Sequence, residues 1–99
     1  MVYTLRRTAI FLRWQRSLAD RRAALVIANR INRLAQGNFG DVKPVGEGVS
    51  ELRIDYGPGY RVYFVRDGPA IYVLLCGGDK DSQKKDIRLA LQLARDLKG

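Results

Sequence analysis

Ninety-nine residues, 46% of them hydrophobic, suffice for one domain (1–99) with one core, without disulfide or metal staples. A formal net charge of +8, no histidine and one cysteine exclude imidazole catalysis and an internal disulfide, and favour a polyanionic or acidic partner. The charge is uneven: residues 1–36 carry eight arginines against one acid, a net +7, and residues 37–99 carry ten basic against nine acidic residues, a net +1.

Residues 2–7 (VYTLRR) are expected to form a first strand. Thr8 then caps a helix whose Ile10, Phe11, Trp14 and Leu18 recur at helical spacing, which assigns the single Trp to the core. Asp20 caps a second helix that ends at Gly37, with Ala24, Ile27, Ala28, Ile31, Leu34 and Ala35 on its apolar stripe. Arg21, Arg22, Arg30 and Arg33 lie largely off that stripe, so the two helices read as a hairpin with a basic outer surface. Residues 36–48 (QGNFGDVKPVGEG) read as a Gly-rich loop.

Residues 49–55 and 60–66 alternate as strands around the Gly57-Pro58-Gly59 turn. Asp67-Gly68 marks a second hairpin turn, of the type that needs positive φ. Residues 70–76 (AIYVLLC) are apolar enough for a strand covered on both faces, and Cys76 within them is expected to be a buried small hydrophobe. Gly77-Gly78 ends that strand. Asp79 or Asp81 then caps a last helix with Ile87, Ala90, Leu91, Ala94 and Leu97 on one stripe. The expected fold is α+β, in the order β-α-α-β-β-β-α, a twisted and mostly antiparallel sheet with helices packed on it. No apolar run approaches the roughly 20 residues that cross a bilayer. The interrupted, basic N-terminus does not read as a signal peptide, so a soluble cytoplasmic protein is expected.

Chemistry is narrowed by absence. There is no zinc signature, the acids are scattered, and neither GEG at 46–48 nor GGDK at 77–80 has the spacing of a phosphate-binding loop. What remains is a set of cations and phenols. Hairpin pairing puts Arg53 and Arg61 on one sheet face, with Tyr63 beside Arg61, while Lys80, Lys84 and Lys85 follow where the last strand runs into its helix. Such a group suits a phosphate, with RNA the leading candidate, and can stabilise extra negative charge in a transition state. Pairing of both arginines with Glu51 and Asp55 on a solvated face accounts for the same spacing. Spacing alone leaves both readings open.

The motifs V-x-E-L-R-I, G-x-G-Y-R-V-Y-F and L-L-C-G-G-D-K-x-x-Q-x-x-D-I resemble the RelE/ParE superfamily of type II toxin–antitoxin toxins. Within it they are most similar to the HigB-like addiction-module killer proteins. The resemblance extends over GNFGDVKPVGEGV, F-x-x-W and RINRL, and so over essentially the whole chain. It implies a metal-independent and cofactor-free mRNA endoribonuclease that acts on the ribosome. In it a 2′-OH attacks the adjacent phosphate, and a cognate helix-turn-helix antitoxin neutralises the toxin. By position it implies that Arg61 binds the phosphate, that Arg53 assists in phosphate contact or proton transfer, and that Lys80 stabilises charge on the phosphate or leaving group. Tyr63, Lys84 and Lys85 are the accompanying candidates for RNA contact. Asp55 stands where a second basic residue is expected, and no Tyr or His matches the family's C-terminal base. Asp86 and Glu51 are carboxylates that the sequence leaves open for that role. Two other functions stay open: a non-enzymatic gyrase poison of the ParE kind, and a degenerate toxin that only binds antitoxin as a co-repressor. Replacement of Arg61 by Ala is expected to abolish toxicity and leave the fold intact.

Overall fold

The computed structural model describes residues 2–99. In chain order the elements are β1 (Thr4–Arg7), α1 (Ala9–Ser17), α2 (Arg21–Ala35), β2 (Val42–Gly46), β3 (Val49–Ile54), β4 (Tyr60–Arg66), β5 (Ile71–Gly78) and α3 (Gln83–Lys98).

The first two helices begin where their caps predict. Thr8 Oγ1 accepts the Phe11 N–H at 3.0 Å, and the Asp20 carboxylate accepts from Arg22 and Ala23 at the start of α2. At the other end of α2, Gly37 adopts φ 82°. Its N–H bonds Leu34 O while the Asn38 N–H bonds Arg33 O, a Schellman closure that needs the left-handed residue. The cap expected for α3 is not formed. Ser82 occupies the N-cap position, and the Asp79 carboxylate closes the preceding turn by accepting from the N–H groups of Asp81 and Ser82.

The sheet has the order β1-β5-β4-β3-β2, with β1 parallel to β5 and the other pairs antiparallel. One of its strands lies inside the expected loop. Pro44 lacks an N–H, which an edge strand such as β2 tolerates, and Glu47-Gly48 forms the two-residue turn to β3 with φ 52° and 81°. The Gly-rich signature was that of a hairpin. The turn expected at Asp67-Gly68 is a longer connection, because β4 ends at Arg66 and β5 begins at Ile71. Gly68 nevertheless has φ 88°.

Three layers result. Phe11 of α1 and Ile27, Ile31 and Leu34 of α2 pack on Leu52, Ile54, Val62, Phe64, Tyr72 and Leu74 from one sheet face. On the opposite face, Ala90 and Ala94 of α3 pack on Val49, Tyr63, Val65, Val73, Leu75 and Cys76. A bulge opposite Tyr63–Phe64 turns both Leu75 and Cys76 toward that second core. The Trp14 ring lies over Gly77, leaving no room for a Cβ there, and tilts against Phe11 with centroids 5.8 Å apart. It is a packing residue. Among the described residues, no helix is long and apolar enough to cross a membrane.

Candidate functional site

The β3–β4 register places Arg53 directly opposite Arg61, and the β4–β5 register places Arg61 opposite Gly78. One row across three strands therefore leads from Arg53 to the end of β5, and Lys80 lies just past it. Two like charges on directly opposed residues repel, so the pair persists only because nearby carboxylates offset it. Asp41 Oδ2 lies 3.8 Å from Arg53 Nε, and Glu51 Oε2 lies 3.6 Å from Arg61 Nε.

A cavity of about 280 Å³ opens over this row. Arg53, Arg61 and Lys80 line it together with Gly59, Ile54 and two carboxylates, Asp41 and Asp55. Gly59 explains how the cations come so close. Its φ is 78°, its carbonyl accepts Arg61 Nη1 at 2.5 Å, and a Cβ there would sit 3.1 Å from Nη1 and 3.5 Å from Lys80 Cβ. The Lys80 N–H reaches Pro58 O at 3.4 Å, so the turn after β3 and the segment after β5 hold each other. From the helical layer, Arg30 of α2 donates to Phe39 O and to Arg53 O, fixing the backbone of β3 next to the cavity. Burial lowers the Arg30 pKa below the ordinary arginine value.

The Arg53 side chain stays 41% exposed, but around Arg61 this face is not the solvated one that would have made that arginine an ordinary surface group. The start of α3 covers it, leaving Glu51 and Tyr63 0% exposed and Arg61 7%. Glu51 Oε2 accepts the Tyr63 hydroxyl and Gln83 Nε2, both at 2.9 Å. Desolvation, with the Glu51 bond second, raises the Tyr63 pKa far above the usual phenol range. Tyr63 thus has no surface to offer RNA: its expected contact role is corrected to that of a buried donor to Glu51. Lys84 and Lys85 sit exposed on the first turn of α3 and do not line the cavity.

The two carboxylates left open as bases are both withdrawn from it. Glu51 is enclosed, and Asp86 faces Gly78 and takes the Ser82 hydroxyl, where a Cβ on residue 78 would collide with it. The acids that reach the cavity are Asp41, which the sequence reading passed over, and Asp55. Nothing local marks Asp41, because its placement depends on β2 pairing beside β3, with the Arg53 N–H donating to Asp41 O at 2.9 Å. Among the described residues, no three His, Cys, Asp or Glu side chains converge on a metal position. Cations in a concave wall can bind an anionic group of phosphate size, with the arginines supplying directed donors and Lys80 a mobile charge.

The family model for "Phage derived protein Gp49-like (DUF891)" matches residues 14–97. An uncharacterized protein of Haemophilus influenzae is 47% identical over 97 residues, which is 98% of each chain. Among solved structures, a chain of the toxin–antitoxin complex RelBE2 from Mycobacterium tuberculosis superposes with a TM-score of 0.61 at 23% identity, covering 81% of this chain and 100% of that one. The RelE-type fold expected from the motifs is the fold observed.

Proposed function

The chain belongs to the Gp49-like family, and we propose that it is the toxin of a type II toxin–antitoxin pair, a cytoplasmic endoribonuclease that cleaves mRNA on the ribosome. The observation that carries this reading is the row of Arg53, Arg61 and Lys80 around one cavity of a RelE-type sheet. Asp41 and Glu51 offset part of the repulsion between the two arginines, and an anionic ligand in the cavity would offset more of it.

In this reading the scissile phosphate sits against Arg61 and Lys80, and Arg53 closes the opposite side. The 2′-oxygen of the preceding nucleotide forms a bond to phosphorus, the bond to the 5′-oxygen breaks, and the leaving oxygen takes a proton from solvent to become a 5′-OH. The cations stabilise the extra negative charge on the phosphoryl oxygens, an effect worth about 2–4 kcal/mol per directed donor. Asp41 and Asp55 are the carboxylates placed to take the proton from the 2′-OH. The partner is a small helix-turn-helix antitoxin that covers basic surface: the α1–α2 hairpin, the cavity face, or both. Its complex should weaken as salt is raised, because exposed ion pairs are screened. Equal affinity at low and high salt would count against electrostatic docking.

The test is induced expression of the wild type and of Lys80→Ala, an exposed residue, with 5′ ends mapped across cellular mRNA. New cuts within translated messages, present with wild type and lost in the variant, support the reading. Growth arrest without cuts and with inhibited supercoiling replaces it with a gyrase poison. No arrest replaces it with an antitoxin-binding co-repressor.

A further inference from the structure

We propose that Glu51 is a positioning residue for this site: a buried carboxylate that holds the Arg61 guanidinium against the cavity wall and ties it, through Gln83, to the start of α3. This deepens the reading above and rests on it. Glu51 does not line the cavity and is 0% exposed, so it cannot touch a bound phosphate. Yet it stands beside both arginines that do line it. Arg61 Nε is 3.6 Å from Oε2 and Arg53 Nε is 4.0 Å from Oε1.

The state of each donor and acceptor makes the argument. Oε2 is committed to Tyr63 and Gln83, one from the middle of the sheet and one from the first turn of α3. Those two bonds fix where the carboxylate points. Oε1 is enclosed with no hydrogen-bond partner, and so is Arg61 Nε. A buried carboxylate and a buried guanidinium thus compensate each other in charge without forming the direct hydrogen bond that a purely structural pair would form. Arg61 is held instead at its far end, where Nη1 donates to Gly59 O, and Nη2 has no hydrogen-bond partner among the described residues. The guanidinium is drawn inward by charge and anchored at the cavity lip, with donor capacity left over for an anion.

Electrostatics alone predicts the opposite outcome for one variant, which makes the idea testable. Glu51→Gln keeps an acceptor for Tyr63 and Gln83 but removes a negative charge beside the cavity. If Glu51 only balances charge, that variant binds an anion more tightly. If Glu51 positions Arg61, it binds more weakly. Inorganic phosphate is the probe, titrated at low ionic strength, and the Arg61 Nε–H proton is followed by NMR in the same samples. For the wild type, positioning predicts a slowly exchanging Arg61 Nε–H, set against the exposed Arg88 as an internal reference. In Glu51→Gln, phosphate affinity should fall on the order of tenfold, the worth of one charged hydrogen bond, and Arg61 exchange should quicken.

Glu51→Asp is the second variant. It retains the charge and withdraws the carboxylate by one methylene, so it should show the same two losses. Where the wild type binds phosphate, tighter or unchanged binding in a folded Glu51→Gln overturns the proposal, as does unchanged Arg61 exchange in Glu51→Asp. An Arg61 Nε–H that exchanges as fast as that of Arg88 in the wild type overturns it whatever the variants do. Failure of the functional reading looks different. A wild type that binds no phosphate but keeps a Glu51-dependent, slowly exchanging Arg61 removes the anion site and leaves the positioning intact. RNA cleavage plays no part in either readout.

Discussion

Helices cover both faces of the sheet, but the two faces solve burial differently. Under α1 and α2 the core is aliphatic and aromatic throughout, with Phe64 and Tyr72 meeting edge-on at 5.2 Å. Under α3 the apolar cluster shares its space with Glu51, Arg61 and Asp86, the three buried charged residues among the described residues. Buried ion pairs seldom stabilise more than apolar side chains of the same volume. Where one face of a sheet shows that an apolar solution is available, charge retained on the other accords with the anion site proposed there.

The largest expected effect lies on the apolar face. Phe11→Ala should lower unfolding free energy by about 3–5 kcal/mol in urea denaturation, because a fully enclosed ring leaves a cavity. On the charged face, removal of one partner and removal of both should differ in direction. Arg61→Ala leaves buried Glu51 with only the 4.0 Å approach of Arg53 and should cost about 3 kcal/mol. The sequence-based expectation of an intact fold is thereby put to the test in the same denaturation curves. The double variant Glu51→Gln with Arg61→Met should recover most of that stability while losing phosphate binding. A double variant no more stable than Arg61→Ala would mean that the pair supports the fold and that the two faces are alike.

Alkaline pH should also separate the faces. Burial first and Asp86 second push the Cys76 thiol up to about 12 from 9.0, and Tyr63 is raised as well. Both groups are neutral when protonated, and above their unfolded values the folded chain binds more protons than the unfolded one. Stability is therefore complete below about pH 9 and falls as pH rises from there, by up to about 1.4 kcal/mol per pH unit for each group. Cys76→Ala should flatten that fall in denaturation midpoints measured between pH 8 and 11. An unchanged slope would place the alkaline loss elsewhere, with Tyr72, which burial also raises on the apolar face, as the next residue to test. The smallest stability effect is expected for Lys80→Ala, within about 0.5 kcal/mol because the side chain is exposed. Phosphate binding should still fall. A stability loss of several kcal/mol there would remove the distinction between site cations and structural ones.

Periodicity and caps made the helices legible, since Thr8, Asp20 and Gly37 act on residues within one turn of themselves. The same local logic failed at β2, where Pro and Gly read as a loop until an edge position and a tight turn gave them a reason. It failed again at Asp79 and Asp81. The cap position there is decided by how β5 runs into α3 against Gly78.

The sequence by itself determined the α+β class, the strand alternation that puts Arg53, Arg61 and Tyr63 on one face, and the family resemblance, because each depends on neighbours along the chain. Tertiary structure alone decided which face α3 covers. That cover turned an apparently solvated Glu51 and Tyr63 into a buried pair, left Asp41 and Asp55 at the cavity, and left Lys84 and Lys85 outside its lining. Burial and charge pairing are properties of the whole packed molecule. No spacing of residues along one strand contains them.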